Sequence, residues 1–95
     1  KFFGEGPYRL LKAVGETGSL NAAAASMNMA YTKALKLLSN AERNLGFKLT
    51  TRTVGGKSGG GSELTPECID FLNRYEAYRD ACRENNSRIY DEYFS

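Results

Sequence analysis

Between Ala30 and Leu45 the side chains able to donate hydrogen bonds or carry positive charge fall on one side of a helical spacing: Thr32, Lys33, Lys36, Ser39, Asn40 and Arg43. Tyr31 opens the same stretch, and Glu42 is the single acid near it. Two more cations follow, Arg52 in a run of β-formers and Lys57 inside Val54-Gly55-Gly56-Lys57-Ser58-Gly59-Gly60-Gly61-Ser62. Ammonium and guanidinium groups set among hydroxyls and amides bind phosphate oxygens and the donor and acceptor edges of bases. A charged helix side is more often simply solvated, and a glycine-rich run can be a linker, so the surroundings of these residues decide their meaning. Catalysis finds no comparable set. There is no histidine, and Cys68 and Cys82 are spaced for neither a zinc site nor a nucleophile with its base, so no catalytic residue, metal or cofactor is expected. Gly56-Lys57-Ser58 approaches the end of a phosphate-binding P-loop but lacks the first glycine of that frame.

The flanking residues supply a scaffold for these groups. Gly6-Pro7 opens a first helix that turns Leu10, Leu11 and Val14 inward, with Tyr8 at its margin, and Thr17-Gly18 ends it. Ser19 is a good N-cap for a short second helix in which Leu20, Ala23, Ala24 and Met27 face a core. The small residues Ala22 to Ala25 admit a closely crossing neighbour, and Asn28-Met29 makes the turn. A third helix, residues 30–45, turns Ala34, Leu38, Ala41 and Leu45 inward with Leu37 flanking, and Gly46 closes it as a left-handed cap with Phe47 as hydrophobic partner. Residues 48–53 read as a strand, 54–62 as a loop that glycine keeps irregular, and Glu63-Leu64-Thr65 as the returning strand. Lys1-Phe2-Phe3 reads as the end of a strand or hairpin arm, with an adherent tail as the alternative. The expected fold is mainly α with a small β-hairpin wing: a winged helix-turn-helix over residues 1–65.

Residues 66–95 form a long C-terminal helix of the same single domain. Thr65 can cap it, Pro66 suits its first turn, and Glu67 lies near its positive end. Continuing to about Tyr93, at ~1.5 Å per residue, it spans about 42 Å, more than so small a domain can cover. Cys68, Tyr75, Cys82 and Ile89 recur every seven residues, with Phe71, Leu72 and Tyr78 between them and Asn85 interrupting, a heptad-like seam. A homodimer through Cys68, Leu72, Tyr75, Tyr78, Cys82 and Ile89 is expected; a helix folded back on its own domain is the alternative. The two thiols, roughly 21 Å apart along the helix, are too distant to bridge within one chain.

The residues also carry a resemblance. Thr17-Gly18-Ser19-Leu20, Ala23-Ala24, the Leu45-Gly46-x-x-Leu49 ending, Arg52 and Leu64-Thr65-Pro66 resemble the amino-terminal winged helix-turn-helix of LysR-type regulators. The stretch Arg52 to Gly61, with its central Lys57, followed by Leu64-Thr65, is more closely similar to the DNA-binding domain of the molybdate-responsive ModE regulators, and the likeness covers roughly residues 3 to 80. Ala30 stands where those proteins usually have serine, and Cys68 where they usually have glycine. The ligand-binding domains that sense molybdate in the full regulators have no counterpart in these 95 residues, so the resemblance implies DNA binding and not molybdate sensing.

Charge is distributed in keeping with that implication. Residues 1–29 carry three bases and two acids, residues 30–62 six bases and one acid, and residues 63–95 four bases and eight acids. A basic middle and an acidic tail suit a molecule that meets phosphate on one side. Few cysteines and the lack of histidine fit a reduced cytoplasmic protein, and no membrane span or signal segment is expected. The chain starts at Lys1 rather than at a methionine, leaving room for residues ahead of it. The leading expectation is a sequence-specific, dimeric DNA-binding transcription regulator, with double-stranded DNA and a second copy as partners and no evident small-molecule ligand. Its expected contacts are Ser19, Tyr31, Thr32, Lys33, Lys36, Arg52, Gly56, Lys57 and Ser58. A nonspecific architectural DNA binder and a protein-interaction module on the same scaffold are the alternatives.

Overall fold

Most of the helix ends have a local chemical cause. Gly18, at φ 73°, ends α1 (Glu5–Thr17) and returns its N–H to the Val14 carbonyl. Gly46, at φ 86°, ends α3 (Tyr31–Leu45) the same way on Glu42. Both occupy the left-handed region that side chains disfavour. Ser19 starts α2 (Leu20–Ser26) by accepting the Ala22 N–H at 3.0 Å. Thr65 starts α4 (Pro66–Phe94): its Oγ1 accepts the Cys68 N–H at 3.0 Å and donates to the Lys48 carbonyl at 2.8 Å. Asn28, at φ 54°, turns the corner between α2 and α3, a conformation its short polar side chain tolerates. Ala30 gives α3 no side-chain cap, as expected from the residue that stands there.

The computed structural model describes residues 3–53 and 61–94. The loop at 54–60, with Gly56, Lys57 and Ser58, lies outside the described residues. β1 (Thr50–Thr53) and β2 (Gly61–Leu64) pair antiparallel with Thr50 opposite Leu64 and Arg52 opposite Ser62. The strands are offset from those expected. Lys48 and Leu49 precede β1 because Leu49 is drawn fully into the core, while Gly61 and Ser62, expected in the loop, belong to β2.

The core forms where α1, α2, α3 and the first turns of α4 meet. It holds Leu10, Leu11 and Val14, then Leu20, Ala23 and Ala24, then Ala34, Leu38 and Ala41, closed by Leu49, Cys68 and Leu72. The buried alanines Ala23, Ala24, Ala34 and Ala41 let α2 and α3 approach closely. Cys68 and Leu72 were expected to face a second copy. They are instead fully or almost fully buried within their own chain, because the Thr65 cap holds the start of α4 against the core. Tyr75 is half-buried, whereas Tyr78, Cys82 and Ile89 remain exposed. Burial, with Glu42 nearby, pushes the Cys68 thiol up to about 11. A thiol reagent at neutral pH is therefore expected to label Cys82 at once and Cys68 only on unfolding, giving one modified site by mass spectrometry in buffer and two in denaturant.

Lys1 and Phe2 lie outside the described residues, and Phe3 is not part of a strand. It is buried in irregular backbone, with its ring edge-on to Phe71 at 4.8 Å and Tyr75 at 5.0 Å. Tyr8, expected at the margin of α1, is buried too, since its hydroxyl donates to Glu76 and the Arg79 guanidinium covers its ring at 4.6 Å. Lys12 pairs with Glu76 at 3.1 Å, and Glu5 accepts from Tyr75 at 3.2 Å and Arg79 at 3.3 Å. This belt locks α1 to α4. The hydrogen bond from Tyr8, then that from Lys12, hold the Glu76 carboxyl below its ordinary 4.5. Its contribution to stability is complete above that ordinary value and is lost as pH falls through the lowered folded-state value. Glu76→Gln is accordingly expected to flatten the acid side of a plot of Tm against pH. An acid limb identical to that of the parent chain would remove Glu76 from the account.

Candidate nucleic-acid interface

A helix that buries Ala34, Leu38 and Ala41 must present the opposite side outward. Tyr31, Thr32, Lys33, Lys36, Ser39, Asn40 and Arg43 are all exposed on α3. Among the described residues, Lys33, Lys36, Arg43 and Arg52 have no carboxylate within ion-pair distance; the pairs formed join Lys12–Glu76, Lys48–Glu42, Arg74–Asp70, Arg79–Glu5 and Arg83–Asp80. Arg43 only donates to the Asn40 amide oxygen, at 3.1 Å. Glu42, the one acid on this helix, is turned away from that service: its carboxylate accepts the Leu49 N–H at 2.8 Å and pairs with Lys48 at 3.7 Å. The anion is thus spent on the junction between α3 and the hairpin, and the outward cations are left free for a polyanion.

Arg52 is exposed on β1, carried by a hairpin that is fixed at its base. Thr65 donates its N–H to the Leu49 carbonyl at 3.0 Å, and Ser62 donates its N–H to the Gly18 carbonyl at 2.8 Å. Gly61 lies so close to that same carbonyl that a Cβ there would collide with backbone. This close approach explains why β2 starts on a glycine, and it ties the hairpin to the corner between α1 and α2. Ser19 sits at that corner, half-buried, with its hydroxyl oxygen occupied by the Ala22 N–H.

Of the sequence-derived contacts, α3 brings Tyr31, Thr32, Lys33 and Lys36 onto one helix, and Arg52 and Ser19 lie on the hairpin and the neighbouring corner. Sequence reasoning passed over Leu35. It is 40% exposed, one helical turn from Tyr31, which is 42% exposed. The four-residue interval from Tyr31 was the available signal. Among the described residues no three metal-capable side chains cluster, and no helix is long and apolar enough to cross a membrane.

A capped three-helix core, a second and third helix meeting at a left-handed asparagine, and a hairpin fastened beside them define a winged helix-turn-helix. The chain belongs to the bacterial regulatory helix-turn-helix proteins of the lysR family, whose sequence model matches residues 7–68. It is 36% identical over 78 residues to the molybdenum transport protein ModE of Herbaspirillum seropedicae, covering 82% of this chain and 28% of that protein. With the molybdenum-pterin-binding protein MopB of Rhodobacter capsulatus it shares 40% identity over 68 residues, 72% of this chain and 25% of that one. The chain therefore spans about a quarter of the length of these relatives. In fold it is similar to the protein in the crystal structure of the CbnR_DBD-DNA complex, with a TM-score of 0.71 at 21% identity over 95% of this chain and 98% of that one.

Proposed function

We propose that these residues form the sequence-specific DNA-binding part of a dimeric transcription regulator, with α3 in a major groove and the glycine-rich wing against the phosphate backbone. The observation that carries this is the row of cations on α3 left without a carboxylate partner among the described residues, while the helix's only carboxylate is consumed internally. Lys and Arg not neutralised by a carboxylate, on an exposed helix beside a fixed hairpin, suit a duplex, whose phosphates take charge and whose base edges take donors. Family membership and the DNA complex of a fold relative support the same reading. Lys33, Lys36 and Arg52 serve phosphates, joined in this proposal by Lys57, Gly56 and Ser58 on the wing and Ser19 at the corner. Tyr31, Thr32, Lys33 and Lys36 face base edges.

A second copy docks through the far part of α4. Every described residue from Asp80 onward is exposed, and Tyr78, Cys82, Ile89, Tyr90, Tyr93 and Phe94 lie unburied along it. So much apolar surface on a free helix is costly to leave in water. Tyr75 joins the core end of this seam, and Cys68 and Leu72 do not. Selecting bound duplexes from a random pool tests the whole reading: two related half-sites are expected, matching a two-fold dimer. Equal affinity for random duplexes would replace it with the architectural alternative.

A further inference from the structure

We infer that Leu35 reads the C5 methyl group of a thymine, an inference that rests on the DNA-binding proposal above. Leu37 and Leu45 are partly buried on the same helix and Leu38 is buried, while Leu35 points outward at 40% exposure. It sits one turn beyond Tyr31, with Thr32 three residues before it and Ser39 four residues after it as exposed neighbours on its side of the helix. A leucine offers nothing to a phosphate oxygen and has no donor or acceptor for a base edge. A face that only bound backbone would gain from a lysine or a serine there. In a major groove the apolar group presented to a side chain is the thymine methyl, and Tyr31 and Thr32, the proposed base readers one turn before Leu35, share its side of the helix. An exposed leucine alone is ordinary on a protein surface. Its place beside Tyr31 and Thr32, which face base edges in the proposal above, is what assigns it a partner.

The test is a methyl-deletion scan. The 95-residue chain is titrated against its selected duplex with each thymine replaced in turn by deoxyuridine, which removes the methyl and keeps the base pair. A loss of roughly fourfold is expected at one thymine of each half-site, the ratio that burying one methyl-sized group produces. Leu35→Ala, which alters an exposed position, should keep its thermal midpoint, bind the unmodified duplex about fourfold or more weakly, and no longer respond to deoxyuridine at that thymine. A second variant, Leu35→Gln, should lose the same response. Salt-dependent binding with no methyl-sensitive thymine, or a sensitivity that survives in both variants, overturns the assignment and leaves the DNA reading standing. No salt-dependent duplex binding by the parent chain overturns both.

Discussion

Leu49→Ala is expected to destabilise the protein by about 2–5 kcal/mol, the usual range for emptying a buried leucine site. Leu49 is fully buried and lies at the junction of three elements. Its N–H goes to the Glu42 carboxylate on α3, and its carbonyl takes the Thr65 N–H at the start of α4. Those backbone bonds survive the substitution, so the loss is one of packing. At roughly 0.05–0.15 kcal/mol per residue, a chain this short holds only about 5–14 kcal/mol in total. A large share of the fold's margin therefore rests on one side chain. Urea unfolding checks this through the midpoint; an unshifted midpoint would show that the neighbours collapse into the space.

Lys36→Ala is expected to weaken binding to the selected duplex by about 1–3 kcal/mol and to relax preference at one base pair, the signature of a lysine on a guanine edge. Lys36 is exposed on α3 with no acid among the described residues to hold it, so its removal leaves no buried group unpaired and stability should hardly change. Arg74→Ala serves as the control. Arg74 is an exposed cation engaged at 4.0 Å by Asp70 on α4, and its loss should alter neither binding nor stability appreciably. Uniform weakening across all sequences in the Lys36 variant would reassign that lysine from base to phosphate.

The helix boundaries were legible in the sequence because their causes are local. Ser19, Gly46 and Thr65-Pro66 act within one turn of themselves, and each performs as its chemistry dictates. The outward face of α3 was legible from the spacing of Ala34, Leu38 and Ala41. What escaped depends on partners far away in the chain. Tyr8 is buried by Glu76 and Arg79, which sequence spacing along α1 cannot reveal. Cys68 and Leu72 fit a heptad as well as they fit a core, and only the Thr65 cap and the hydrophobic cluster decide between the two. Glu42 looked like an acid beside a basic face until Leu49 supplied its donor. Gly61 joined the strand because of a contact with Gly18, forty-three positions earlier.

The fastening of Ser62 to Gly18 has a consequence for how a target is chosen. A hairpin base tied at that corner and at Leu49 cannot swing independently of the helices beside it. Any mismatch between the spacing of helix and hairpin and the spacing of the grooves must then be absorbed by the nucleic acid. Under the proposed function, sites whose untouched base steps bend easily should be favoured over stiff ones. Part of the address would be written in mechanical compliance and not in lettering.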